Sequence, residues 1–393
     1  MLNRVRVQNF KCLRDVDVEL GPFTILIGPN DSGKSSFLSC LQLFGMLASL
    51  ERNQNRQAQR VAGIMRENSW RLSQDVPISI AVESNEPTKF SFSFSVGPAP
   101  ARQEQKLKVG DVDSTVSIFP NPNPTREPQQ MVFRGKKFQP RLELSLLLQL
   151  IELEKDDSYA DLKQMQQTLE VSEPFRFSPS EMRKPSAATP DPVLSSRGEN
   201  LAAVVNALLT GPDREAVTEL ERSLHDAIPT LRGLSTPASD ANNGSLRVIK
   251  FTLSGTEKPP LTIPASEVSD GAMFLTAFLA LIHSQPAQVL LIEEPENGLH
   301  PSRLQGVIEL LRKLTTGELG YPPRQIILTT HSPVLLNCVT PDEVRIFRRD
   351  DEGATQVVRM DQLPDIDRLT KEFAPGELWY LFGEEELVKG PTP

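Results

Sequence analysis

Residues Thr24 to Phe37 read Thr-Ile-Leu-Ile-Gly-Pro-Asn-Asp-Ser-Gly-Lys-Ser-Ser-Phe. Thr24 to Ile27 predict a buried β-strand. Gly28, four further residues, Gly33, Lys34 and Ser35 complete the pattern G-x4-G-K-[ST]. From Ser36 onward the pattern turns helical, with Phe37, Leu38, Leu41 and Phe44 on one face. Strand, glycine-rich loop and helix in this order are the setting that a phosphate-binding loop requires. The glycines let the backbone curl until its N–H groups converge on a phosphate. The start of the helix adds a partial positive charge. In this reading Lys34 pairs with the β- and γ-phosphate oxygens and the Ser35 hydroxyl binds Mg²⁺. Asn30, Ser32 and Ser36 complete the candidate loop contacts. The rival reading is a plain Gly-rich turn between a strand and a helix.

Length and composition bound the rest. A chain of 393 residues exceeds one average domain and predicts two or three units. The 33 prolines predict long irregular connections. A net charge of −9 leaves DNA binding only to a local basic patch. Cys12, Cys40 and Cys338 are too far apart for a disulfide framework or a zinc site, which points to a reducing compartment. No signal-peptide pattern opens the sequence. No apolar run approaches the ~20 residues of a membrane span. The expectation is a soluble, cytoplasmic protein without a membrane partner.

Outward from the loop, Leu2 to Phe10 and Asp15 to Leu20 alternate as two short strands. Val76 to Val82 and Lys89 to Val96 alternate as an antiparallel pair. Met131 to Arg141 mixes basic and aromatic residues; it reads either as a nucleic-acid surface or as a strand with a solvated face. Leu142 to Glu154 and Asp161 to Leu169 predict two helices, and no heptad repeat continues from them. Phe175 to Pro192 reads as loop, followed by helices ending near Gly211 and Ile228. Val248 to Leu253 and Leu261 to Ile263 predict strands. They lead into Val268-Ser269-Asp270-Gly271-Ala272 and an apolar helix to Ile282. Ser269 and Gly271 supply a hydroxyl and N–H groups at a helix N-terminus; Ser269 or Asp270 equally suits a plain cap. Val289 to Ile292 predicts a strand buried on both faces, ending in Glu293-Glu294-Pro-Glu-Asn297-Gly-Leu-His300. A carboxylate pair at such a strand end is costly without a cation. Arg324 to Thr330 predicts another core strand, ending at His331. Glu343 to Arg348 and Thr355 to Met360 predict a closing hairpin.

The opening Val-Gln-Asn-Phe-Lys-Cys-Leu, followed by Leu-Ile-Gly-Pro-Asn-Asp-Ser-Gly-Lys-Ser-Ser, resembles the start of RecF-like and SMC-like ATPases. Phe-Arg-Phe-Ser-Pro, Met-Arg-Lys-Pro-Ser and Gly-Glu-Asn-Leu-Ala-Ala-Val, in that order, resemble stand-alone bacterial ATPases that share a head with the overcoming-lysogenisation-defect family. The resemblance covers nearly the whole chain and is weakest from Arg52 to Lys137. It implies an α/β P-loop NTPase of the ABC-ATPase head type: a mixed central sheet, an antiparallel β lobe and a helical lobe. The expected division is 1–141, 142–235 and 236–393.

By the same resemblance Lys11 is a nucleotide contact, against its reading as a solvated strand-end lysine. Ser269 and Gly271 take the signature position, where the family has Leu-Ser-Gly-Gly-Gln and this chain has Val-Ser-Asp-Gly-Ala. Glu293 takes the Mg²⁺ shell and Glu294 the general base, although the common form is Asp then Glu. Asn297 and His300 fall in the D-loop, and His331 is the switch histidine. The implied cofactors are ATP and Mg²⁺. The implied assembly is a homodimer bridged by ATP, acting with DNA or a separate nuclease or effector in phage defence or repair. The alternative is a nucleotide sensor or regulatory subunit with little hydrolysis of its own.

Overall fold

The structure is a computed structural model of the chain. It describes residues 1–48, 69, 76–86, 88–96, 103–110, 116–117, 131–133, 136–138, 146–153, 160–212, 214–239, 246–255 and 259–389. The sequence also predicts a helix over Phe37 to Ile64 and Pro-rich loops over Pro98 to Gln105 and Pro120 to Gln130; residues 49–64, 98–102, 120–130 and 139–145 lie outside the described ones, and Gln103 to Gln105 open a strand, Gln103–Val109, instead of ending a loop. The chain divides into two compact units, residues 1–174 with 287–291 and 323–393, and residues 175–286 with 292–322.

The first unit holds two sheets. One is antiparallel and runs in the order Leu13–Glu19, Arg4–Phe10, Ile78–Ser84, Phe90–Val96, Gln103–Val109, Val116–Ser117. Its alternation was visible in sequence: Ile78, Ile80 and Val82 are buried, and Val82 faces Phe92 across the ladder. The other sheet is mixed, in the order Val289–Glu293, of which residues 289–291 belong to this unit, Gln325–Thr330, Phe23–Ile27, Val344–Arg349, Thr355–Arg359. Phe23–Ile27 pairs in parallel with Gln325–Thr330 and with Val344–Arg349, and the last two strands form the expected antiparallel hairpin. Phe23–Ile27 is buried throughout, as a parallel strand covered on both faces must be.

The helix Lys34–Ala48 packs between these sheets. Phe44 meets Phe92 of the antiparallel sheet edge to face at 5.4 Å, and Phe37 meets Phe347 of the mixed sheet at 5.8 Å. Phe37, Leu38, Leu41 and Phe44 are at most 1% exposed. Each such side chain contributes roughly 1.5–3 kcal/mol of burial. The start of this helix is therefore anchored by the core of the unit.

The tail acquires a structural role that its sequence did not disclose. The helix Pro375–Lys389, broken at Gly383, packs beside the short helix Pro333–Leu336. Gly376 donates its N–H to Asn337 Oδ1 at 2.8 Å, and a Cβ there would lie 1.9 Å from the Pro333 carbonyl. The tail thus braces the segment that follows His331.

The second unit is built on helices Leu201–Thr210, Arg214–Ala227, Asp270–Ser284 and Pro301–Thr316, with a three-stranded antiparallel sheet, Leu231–Ser235, Lys250–Leu253, Thr262–Pro264. Asp270–Ser284 is buried continuously from Ala272 to Ile282, and Phe177 packs on its Phe278 at 5.2 Å. The stretch expected to be loop contains a short helix, Pro179–Met182, and a strand, Ser186–Ala187. Proline at the first helical position is preset for a helix start, a signal outweighed in sequence by the surrounding Ser and Pro.

Candidate functional site

In the first unit, the candidate phosphate loop joins Ile27 to the helix that begins at Lys34. Two glycines are imposed on it by packing. A Cβ on Gly28 would lie 2.0 Å from the Phe347 carbonyl oxygen. On Gly33, at φ +109°, it would lie 2.4 Å from Thr355 Oγ1 and 3.0 Å from Cys12 Sγ. The closing hairpin supports the same loop: Thr355 Oγ1 donates to the Ser32 carbonyl at 2.8 Å, and Arg349 Nε donates to the Asp31 carbonyl at 2.6 Å. Neither Thr355 nor Arg349 stood out in sequence.

Lys34 is buried, and its ammonium donates to the carbonyls of Gly28 and Pro29, both at 2.8 Å, and to Ser32 Oγ at 3.4 Å. A cation is thus held at the centre of the loop. The first ladder bond runs from Phe37 N–H to the Gly33 carbonyl, so the N–H groups of Lys34, Ser35 and Ser36 precede the ladder. Ser35 and Asn30 are exposed. An ammonium, a cluster of helix-start N–H groups and an exposed hydroxyl form the donor set that a triphosphate with Mg²⁺ calls for.

Lys11 lies in the turn between the first two strands at φ +50°, with its ammonium 5.5 Å from the Phe10 ring centre. The next residue, Cys12, bonds to Ser36 Oγ at 3.5 Å, so this turn abuts the helix start. His331 follows Thr330, whose register partner is Ile27. His331 and Gly28 therefore leave neighbouring parallel strands at the same carboxyl end.

In the second unit, Glu293 is half-buried and its N–H donates to the Phe175 carbonyl at 2.8 Å. Glu294 sits at φ +48°, a left-handed conformation uncommon for a residue with a side chain. Its Oε2 accepts from Asn297 Nδ2 at 2.6 Å and lies 3.7 Å from Arg176 Nη2. Such backbone strain concentrates where a side chain must be aimed. Arg176 was not singled out as a site residue, although it lies in the quoted Phe-Arg-Phe-Ser-Pro.

Ser269 caps the helix Asp270–Ser284, its hydroxyl accepting from Ala272 N–H at 3.3 Å. Gly271 lies beside the D-loop, its Cβ position 3.7 Å from the Gly298 carbonyl. Ser269, Gly271, Gly298 and His300 line one cavity of about 800 Å³. His300 also caps the helix Pro301–Thr316, its Nδ1 at 2.8 Å from Ser302 Oγ. The structure thus gathers Lys11, Gly28 to Ser36 and His331 in one unit, and Glu293, Glu294, Asn297, His300 and the signature residues in the other.

Among the described residues, no group of three or more His, Cys, Asp or Glu side chains is placed to hold a metal ion. Among them also, no helix is long and apolar enough to cross a membrane.

Comparison with known proteins bears on the family and the fold. The chain is 24% identical to the OLD nuclease of Thermus scotoductus over 96% of its own length and 68% of that protein's. It is likewise 24% identical to the Old nuclease of Escherichia phage P2, over 100% of this chain and 68% of that one. Its fold is similar to the crystal structure of an SMC head bound to the C-winged helix domain of ScpA, with TM-score 0.52 and 15% identity, over 91% of this chain and 96% of that chain. Residues 23–337 match the family described as "AAA domain, putative AbiEii toxin, Type IV TA system". That match takes in well over half of the sequence, and the chain belongs to this AAA family.

Proposed function

We propose that this chain binds ATP and hydrolyses it, and that two copies close on the nucleotide to switch an activity directed at DNA or at a second protein. The observation that carries the reading is the loop itself: a buried lysine ammonium at the centre of a cradle whose two glycines cannot carry a Cβ.

Phosphoryl transfer asks little covalent chemistry of the protein and much positioning and charge neutralisation. Lys34 and the N–H groups at the helix start bind the phosphates, with Lys11 at their edge and His331 set against the γ-phosphate. The Ser35 hydroxyl would hold Mg²⁺, which would neutralise phosphate charge, and the resemblance assigns Glu293 to the Mg²⁺ shell. Glu294 polarises the attacking water. Ser269 and Gly271 supply their hydroxyl and N–H groups to the nucleotide of a second copy, with Asn297 and His300 beside that interface.

Replacing Glu294 by Gln should leave ATP affinity intact, lower turnover about 100-fold or more, and accumulate an ATP-dependent dimer on size exclusion. Lys34→Ala should abolish nucleotide binding. Wild-type protein that ignores labelled ATP with magnesium, or Glu294→Gln that turns over at the wild-type rate, would sink the proposal.

A second reading, a nucleotide sensor with slow hydrolysis, draws support from the Asn297 and Arg176 contacts on Glu294, which occupy the candidate base. Binding without measurable turnover, even with DNA present, would favour it. The relatives are named nucleases, which makes DNA the first partner to test. The described strands of the basic stretch, Met131–Phe133 and Lys136–Phe138, form a small hairpin. Stimulation of ATPase activity by DNA separates a DNA partner from a protein effector.

A further inference from the structure

The signature segment departs from the family form at Val268, Asp270 and Ala272, and of these only Asp270, where the family has glycine, brings a charge. That departure sets up a conflict. The N-terminus of the helix Asp270–Ser284 carries partial positive charge, which favours either an Asp side chain or an incoming phosphate. A free carboxylate next to Ser269 would repel the triphosphate that Ser269 is proposed to receive.

Arg183 resolves the conflict. It comes from the Met-Arg-Lys-Pro-Ser stretch, just after the short helix Pro179–Met182. Its Nη2 lies 2.7 Å from Asp270 Oδ1 and also donates to the Val268 carbonyl at 2.9 Å. Its Nε donates to the Ala265 carbonyl at 3.0 Å. One guanidinium therefore grips the turn before Ser269 and the side chain after it. The planar fork matches this arrangement, and an ammonium could not reproduce it. Arg183 has 23% of its side chain exposed and Asp270 54%, so the pair stands at the surface of its unit, where a second molecule could meet it.

We infer that Arg183 is a positioning residue for the signature segment. It neutralises Asp270, turns the carboxylate aside and holds Ser269 and Gly271 ready for the phosphates of a second copy. The inference rests on the proposed function, since it assumes that Ser269 and Gly271 meet a nucleotide in trans.

The test measures ATP-driven self-association by sedimentation, with magnesium, in the Glu294→Gln background, which prevents turnover. Arg183→Gln removes the charge and keeps a hydrogen-bond donor; association should weaken about tenfold, with ATP affinity at low protein concentration unchanged. Adding Asp270→Gly should restore most of that loss, because the uncompensated charge leaves with it. A merely structural arginine would not be rescued in this way. Asp270→Gly alone should associate at least as tightly as the parent, and its advantage should shrink as salt rises. Unchanged association in Arg183→Gln, or no recovery in the double variant, overturns the inference. Should Arg183→Gln fail to fold, Asp270→Gly alone still decides, and weaker association in it overturns the inference. No ATP-driven association in the Glu294→Gln parent overturns the proposed dimer, and this inference with it.

Discussion

The two helix N-termini proposed to face phosphate are supported in opposite ways. The one at Lys34 is built into a core. Its helix lies between two sheets, its glycines abut the Phe347 carbonyl and the Thr355 hydroxyl, and the loop is tied to a strand more than 300 residues away. The one at Asp270 has open space at Gly271, where the nearest atom to an added Cβ is 3.7 Å away, and a single arginine orients it. A loop fixed by main-chain crowding holds its shape without ligand. A segment held by one ion pair at the surface can be tuned by charge and salt. This division suits a site whose first half binds nucleotide and whose second half reports a partner.

Paired alanine substitutions break the comparison most sharply. Gly33→Ala must accept φ +109° and a contact of 2.4 Å with Thr355, and should cost about 2–4 kcal/mol. Gly271→Ala enters the first turn of a helix with room for its methyl, and should fall within about 1 kcal/mol of wild type on the stabilising side. Thermal melts read the first effect. The second variant should melt normally yet lose ATP-driven association. Equal melting temperatures for the two would show that the loops are not supported differently.

What the sequence disclosed follows the same line. The phosphate loop was legible because its signal is local: two glycines, a lysine and a serine within eight residues, flanked by strand and helix. The antiparallel strands were legible from strict alternation, and Val289–Glu293 and Gln325–Thr330 from unbroken apolar runs. The bracing residues were not. Arg183 acts on a carbonyl 82 positions away, and Thr355 on one 323 positions away. No spacing rule connects such pairs, and an arginine or threonine alone reads as ordinary surface. Nor does local spacing explain Gly376; its reason is the Pro333 carbonyl, which packs where its side chain would be.

A smaller effect sharpens the first half of the comparison. Thr355→Val keeps the shape and removes the hydroxyl that bonds to the Ser32 carbonyl, a loss of about 1 kcal/mol. If the loop relaxes by that amount before binding, ATP affinity falls about fivefold, which titration calorimetry resolves. An unchanged affinity would mean that glycine crowding alone fixes the loop.

The smallest effect contrasts two ion pairs. Arg359 holds Asp361 through two bonds, 2.9 Å to Oδ1 and 2.6 Å to Oδ2, and reaches Glu19 at 2.7 Å, tying the strand that begins at Thr355 to Leu13–Glu19. Hydrogen bonding from Arg359 holds the Asp361 carboxyl below the usual carboxylate range. A depressed folded-state pKa gives stability that is present above the unfolded value, about 3.9, and lost as pH falls through the folded one. Wild type should therefore lose stability more steeply than Asp361→Asn in melts below about pH 4. At neutral pH the substitution should cost about 1 kcal/mol, as a partly exposed pair does, with ATP-driven association unaltered. The Arg183–Asp270 pair should behave conversely, moving ATP-driven association at neutral pH. If Asp361→Asn changed association instead, the division between a pair that holds the fold and a pair that prepares an interface would be wrong.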